Sequence, residues 1–109
     1  MSYNIIVTKV FSRNLKALFK KYRSIKSDII VLQNELKNNP TAGVYLGNDV
    51  YKIRLAIKSK GKGKSGGARV ITYVKIKNET IYLLSVYDKS ERENISDFAI
   101  KELLRHLKD

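Results

Sequence analysis

Between Ile81 and Val86 the chain reads IYLLSV, an almost wholly apolar run. Such a run suits a central strand covered on both faces, because an edge or one-sided strand alternates apolar with polar residues. The rest of the chain must therefore supply neighbouring strands and material to cover two sheet faces. In 109 residues that fits one domain, residues 1–109.

The flanking patterns supply both. Tyr3 to Val10 (YNIIVTKV) is short and β-branched and predicts an opening strand. From Phe11 the period changes: Phe11, Leu15, Leu18, Phe19 and Tyr22 form one helical face, with Lys16, Lys20 and Arg23 placed mostly off it. Ile25, Ile29, Leu32 and Leu36 continue through a second helix ended by Asn38, Asn39 and Pro40. The two read as a helical hairpin. After a loop containing Gly43 and Gly47, Val50 to Lys58 alternates, with Tyr51, Ile53, Leu55 and Ile57 on one face and Lys52, Arg54, Ala56 and Lys58 on the other. Ala68 to Lys77 and Thr80 to Tyr87 read as two more strands joined at Asn78-Glu79.

A last helix is marked by Ser96 as N-cap, Asp97 in its first turn and Ile95 with Ile100 at staple spacing. Ala99, Ile100, Leu103, Leu104 and Leu107 make its apolar stripe, and Arg105, His106 and Lys108 sit at its C-terminal end. The expected class is α+β, in the order β-α-α-β-β-β-α. An antiparallel sheet packs against an N-terminal helical hairpin and a C-terminal helix.

Charge then narrows the function. The formal net charge is +12, and it is not spread evenly. Residues 1–27 hold seven basic residues and no acid; residues 52–77 hold nine and again no acid. Concentrated cations repel one another, so two such blocks point to a polyanionic partner. The second block is the stronger candidate. Lys52 and Arg54 lie roughly 7 Å apart on one strand face, a spacing suited to successive phosphates. The loop from Ser59 to Gly67 (SKGKGKSGG) contributes Lys60, Lys62 and Lys64, with glycines that let backbone approach an anion. With Lys58 and Lys75, these lysines are the expected RNA-backbone contacts. No Walker loop is present.

Other chemistries find few residues. There is no cysteine and one histidine, which removes disulfide scaffolds, thiolate metal sites and thiol nucleophiles and disfavours a metal centre or a Ser-His-Asp triad. No metal and no cofactor are expected. No run reaches the roughly 20 apolar residues of a membrane span, so the expected setting is the cytoplasm, away from membranes. Tyr51, Tyr73, Tyr82 and Tyr87 interleave with the cations, and of these Tyr73 and Tyr87 are the expected surface rings for stacking on bases.

YKIRLA at 51–56, GKGKSGGARVITY at 61–73 and YLLSVYDKSERENIS at 82–96 together resemble toxins of the RelE/ParE superfamily. They are most similar to its HigB-like branch, whose members carry a comparable lysine-glycine loop before R-[VI]-I. The resemblance implies a RelE-like fold and an mRNA interferase that enters the ribosomal A site, contacts rRNA and cleaves translated mRNA by 2′-hydroxyl attack. It also implies a helix-turn-helix, HigA-like antitoxin as partner.

Carried onto this chain, Lys52 and Arg54 flank the scissile phosphate and Arg69 stabilises its developing charge. Lys89 and Glu91 are the candidates for proton transfer, and Lys62 and Lys64 hold RNA. RelE-type members have an arginine and a tyrosine where Ser90 and Ser96 stand here, which leaves the general acid open, with Tyr73 or Tyr87 as substitutes. Two other functions remain compatible with the residues: a ParE-like gyrase inhibitor and a non-catalytic RNA-binding protein.

Overall fold

The computed structural model describes residues 3–107; Lys108, expected at the end of the last helix, lies outside them. Five strands and three α-helices run in the order β1 (Asn4–Val7), α1 (Lys9–Phe19), α2 (Ile25–Asn38), β2 (Val44–Gly47), β3 (Val50–Leu55), β4 (Ala68–Lys75), β5 (Thr80–Asp88) and α3 (Asp97–Arg105). The architecture is α+β, as the patterns predict, with one strand added.

That strand, β2, falls in the segment read as a loop. It is four residues long, flanked by glycine and exposed at Val44 and Tyr45. Its backbone pairs with β3, and Leu46 is the residue it packs against a core, so no alternating burial pattern announces it. The first helix also begins two residues earlier than its apolar stripe suggests. The Thr8 side chain accepts from the Phe11 backbone N–H and caps the helix, which shortens β1.

The sheet order is β1-β5-β4-β3-β2. The strands from β2 to β5 are antiparallel neighbours, but β1 pairs with β5 in parallel, so the sheet is mixed rather than purely antiparallel. A helical hairpin between β1 and the remaining strands carries the chain back in the direction that parallel pairing requires. β5 lies inside the sheet and is covered on both faces, as its composition demands. Ile81, Leu83 and Val86 join the core under α1 and α2 with Phe11, Ile25 and Leu36. Leu84 and Tyr87 join a second core under α3 with Ile71 and Ile100. The Ser96 cap and the Ile95–Ile100 staple hold α3 there.

One irregularity redirects side chains. Opposite β4 the register steps from Ser85 beside Ile71 to Leu83 beside Thr72, so Leu84 is an extra residue in β5. A bulge of this kind reverses the parity of all that follows. It turns Tyr87 away from the helical hairpin and onto the α3 face.

Gly67 enters β4 where the chain passes close to β3. A Cβ there would collide with the carbonyl oxygen of Leu55 and lie 3.1 Å from the Ala56 Cα. The obstacles are backbone atoms, which do not swing aside. Gly67→Ala is expected to destabilise the fold by about 1–3 kcal/mol, the range for overpacking, read as a fall in thermal midpoint.

Candidate nucleic-acid cleft

The alternation in β3 sends Ile53 and Leu55 into the hairpin core and Lys52 and Arg54 to the other face. β4 does the same, with Ala68 and Val70 inward and Arg69 opposite. Pairing sets Arg54 beside Arg69 and Arg69 beside Tyr87, one row across three strands. Neighbouring strands are about 4.8 Å apart, so two guanidinium-bearing residues sit directly side by side. Like charges so placed are unfavourable without an anion between them.

α3 covers only the other end of this face, leaving an open cleft of about 230 Å³ lined by Val44, Lys52, Arg54, Arg69, Lys89, Glu93 and Asn94. Four cations meet here, and each was expected to. The cations differ in freedom: Arg54 is exposed, Lys52 and Lys89 are half-buried, and Arg69 is 5% exposed. The Arg69 guanidinium donates to the carbonyls of Lys64 (3.0 Å), Ala68 (3.0 Å) and Ser65 (3.1 Å). Among the described residues no carboxylate pairs with it, so its charge is not neutralised locally while it lines the cleft and its donors anchor the loop.

The lysine-glycine loop is thus tied down at its end, and its start is tied too. Asp88 is fully buried and accepts from Lys60 Nζ (2.7 Å), Tyr22 Oη (2.6 Å), and the Ser90 N–H (2.9 Å) and Oγ (2.8 Å). Burial pushes the Asp88 carboxyl up, but the hydrogen bonds from Lys60, Tyr22 and Ser90 together outweigh it and hold the group well below the usual carboxylate range. Asp28, also buried, accepts from Ser24 Oγ (2.8 Å) and the Lys58 N–H (3.2 Å), while Ser59 N–H donates to Ser24 Oγ (2.8 Å). Both carboxylates weld the loop's root to the turn between α1 and α2.

The expected RNA-contact lysines therefore separate. Lys60 is not a free surface cation: its side chain is 12% exposed and committed to Asp88. Lys62 and Lys64 stand exposed on the loop. Lys58 and Lys64 share a shallow groove with Arg54 beside α2, continuous with the cleft through that arginine. Lys75 lines a different groove, with Tyr73, Tyr82, Leu104 of α3 and Leu107 just beyond that helix.

The remaining candidates also divide. Tyr73 is four residues along β4 from Arg69, about 13 Å at strand rise, with its ring 5.8 Å from that of Tyr82. Tyr87, expected as a surface ring, is 5% exposed because the bulge at Leu84 turns it inward. Its hydroxyl is buried without a hydrogen-bond partner, and the Arg92 guanidinium lies 4.5 Å from its ring centre. Burial pushes the phenol pKa up, against the pull of Arg92 and Arg69. Glu91 is not in the cleft: it pairs with Lys21 at 3.2 Å, on the α1 side. Glu93, Asn94 and Val44 line the cleft instead, and no local pattern in the sequence marks them. Among the described residues no group of three His, Cys, Asp or Glu side chains is placed to hold a metal, and no helix is long and apolar enough to cross a membrane.

Residues 5–108 match the family model described as the RelE toxin of the RelE/RelB toxin–antitoxin system. The chain belongs to the RelE toxin family. Solved structures agree on the fold. A mutant E. coli RelE toxin in the free state is 20% identical, with TM-score 0.63, over 98% of this chain and 99% of that one. The toxin–antitoxin complex RelBE of E. coli matches at 18% identity and TM-score 0.60, over 80% of this chain and 96% of the other. RelBE2 of Mycobacterium tuberculosis matches at 14% and 0.56, over 81% and 92%. In this RelE-family chain the sheet carries a cleft whose four cations come from β3, β4 and the segment after β5.

Proposed function

We propose that this protein is the toxin of a type II toxin–antitoxin pair and an endoribonuclease that cleaves translated mRNA in the ribosomal A site. The observation that carries the reading is the cleft in which Lys52, Arg54, Arg69 and Lys89 converge, none of them in an ion pair among the described residues. A phosphodiester drawn into such a site gains negative charge as the neighbouring 2′-oxygen attacks, and preorganised cations favour that state over the ground state. Arg69, fixed by three carbonyls, is the best-positioned stabiliser of that charge. Lys52, Arg54 and Lys89 hold the phosphate and the leaving oxygen. Exposed Lys62 and Lys64, with Lys58, extend the cationic track for flanking messenger or ribosomal RNA.

The lysine-glycine loop supports a HigB-like reading, in which the partner would be a helix-turn-helix antitoxin. The RelBE complexes support an antitoxin partner of some kind, and an acidic one would both find and cover this surface quickly. The reading is tested by brief induction in a bacterial host followed by mapping of RNA 5′ ends. Discrete cuts within open reading frames, absent when initiation is blocked beforehand, are expected. Arrest of DNA replication with intact messages would point to gyrase inhibition instead.

A further inference from the structure

Among the described residues lining the cleft one acid is present, Glu93, and its surroundings and those of Glu91, two residues earlier, are informative. Glu91, the carboxylate that the family resemblance suggests for proton transfer, forms an exposed pair with Lys21 and is not among the residues lining the cleft. Glu93, two residues on, lines the cleft with all four cations and, among the described residues, forms no ion pair within 4.0 Å. Its neighbours hold it there. Arg92 stacks over the Tyr87 ring at 4.5 Å, Asn94 Oδ1 accepts from Lys52 Nζ at 3.4 Å, and Ile95 packs into the α3 core. Three anchors in four consecutive residues leave a single free side chain, and it is a carboxylate at the one place where phosphate is expected to bind.

An acid in that position weakens RNA binding unless it does something for the reaction. We propose that Glu93 is the general base that takes the proton from the attacking 2′-hydroxyl; this rests on the ribonuclease reading above. The 2′-oxygen–phosphorus bond forms as the phosphorus–5′-oxygen bond breaks. The 2′-hydroxyl proton passes to a Glu93 carboxylate oxygen, and the departing 5′-oxygen takes a proton from a cleft ammonium, Lys89 or Lys52. The products are a 2′,3′-cyclic phosphate and a 5′-hydroxyl end, and solvent returns both residues to their starting states.

The test is single-turnover cleavage of an mRNA on programmed ribosomes, with binding measured in parallel on a message carrying 2′-deoxy at the cut site. Glu93→Gln is expected to lower the saturating rate by about 10²–10⁴-fold while affinity stays the same or rises, since a negative charge has left a cationic cleft. Glu93→Asp is expected to recover part of the rate, and Glu91→Gln to remain within threefold of wild type. A Glu93→Gln protein that cleaves as fast as wild type, or faster, overturns the assignment while leaving the ribonuclease reading standing. Wild-type protein that cleaves nothing overturns both.

Discussion

Arg69→Ala is expected to slow cleavage of ribosome-bound message by about 10²–10³-fold, the loss seen when one preorganised stabiliser of developing charge is removed. The same change should loosen the loop, because the carbonyls of Lys64 and Ser65 lose their donors. Two effects on stability compete. Relief of repulsion from Arg54, directly opposite, is worth about 0.2–1 kcal/mol. Losing hydrogen bonds from a charged donor costs about 1.5–3 kcal/mol each before water replaces them, so a net loss is expected. Thermal melting and limited proteolysis within residues 61–66 read this directly. Arg69→Lys keeps the charge but lacks the planar fork that reaches several carbonyls at once, and it should restore little activity. A folded Arg69→Ala protein with wild-type cleavage would remove Arg69 from the mechanism.

Lys60→Met should produce the largest loss of stability, about 3 kcal/mol, because it leaves the buried Asp88 carboxylate without its cation. The figure is the low end for breaking a buried pair, since Tyr22 and Ser90 still donate. In a chain of this size that lowers the thermal midpoint by about 10 °C or more. Lys60→Met/Asp88→Asn should regain part of the loss: an amide oxygen in the place of Oδ1 keeps both Ser90 bonds without a stranded charge, and the amide nitrogen in the place of Oδ2 donates to the Tyr22 hydroxyl oxygen instead of accepting from it. Acid gives a second readout. The Asp88 carboxyl is depressed in the folded state, so its contribution is complete above the ordinary aspartate value of about 3.9 and drains away as pH falls below it. Wild type should therefore lose stability below about pH 4 more steeply than Lys60→Met does. Equal acid sensitivity in the two proteins would contradict the pairing.

The Lys60–Asp88 pair joins residues 28 positions apart in the chain, and there reading from sequence runs out. Val50 to Lys58 declares its two faces by alternation, and the Ser96 cap with the Ile95 staple declares α3, because each signal lies within a few residues. The apolar run at 81–86 announces a strand buried on both sides, but not the extra residue at Leu84. Without that bulge Tyr87 would face the helical hairpin, and Asp88 would lose its place beside Tyr22 and Lys60. The lysines of the loop look alike in sequence, yet Lys60 is partly buried and paired with an aspartate and Lys62 is open to solvent.

Residue order alone determined the α+β class, the amphipathic helices and the gathering of positive charge in two acid-free blocks, since local periodicity and composition govern each of these. Tertiary structure decided that Arg54, Arg69 and Tyr87 form one row, that Glu93 rather than Glu91 meets the cleft, and that β1 joins the sheet in parallel. Register and loop packing depend on which distant backbone groups pair and which side chains fill the space between layers, and no short window of sequence contains both partners of such a contact.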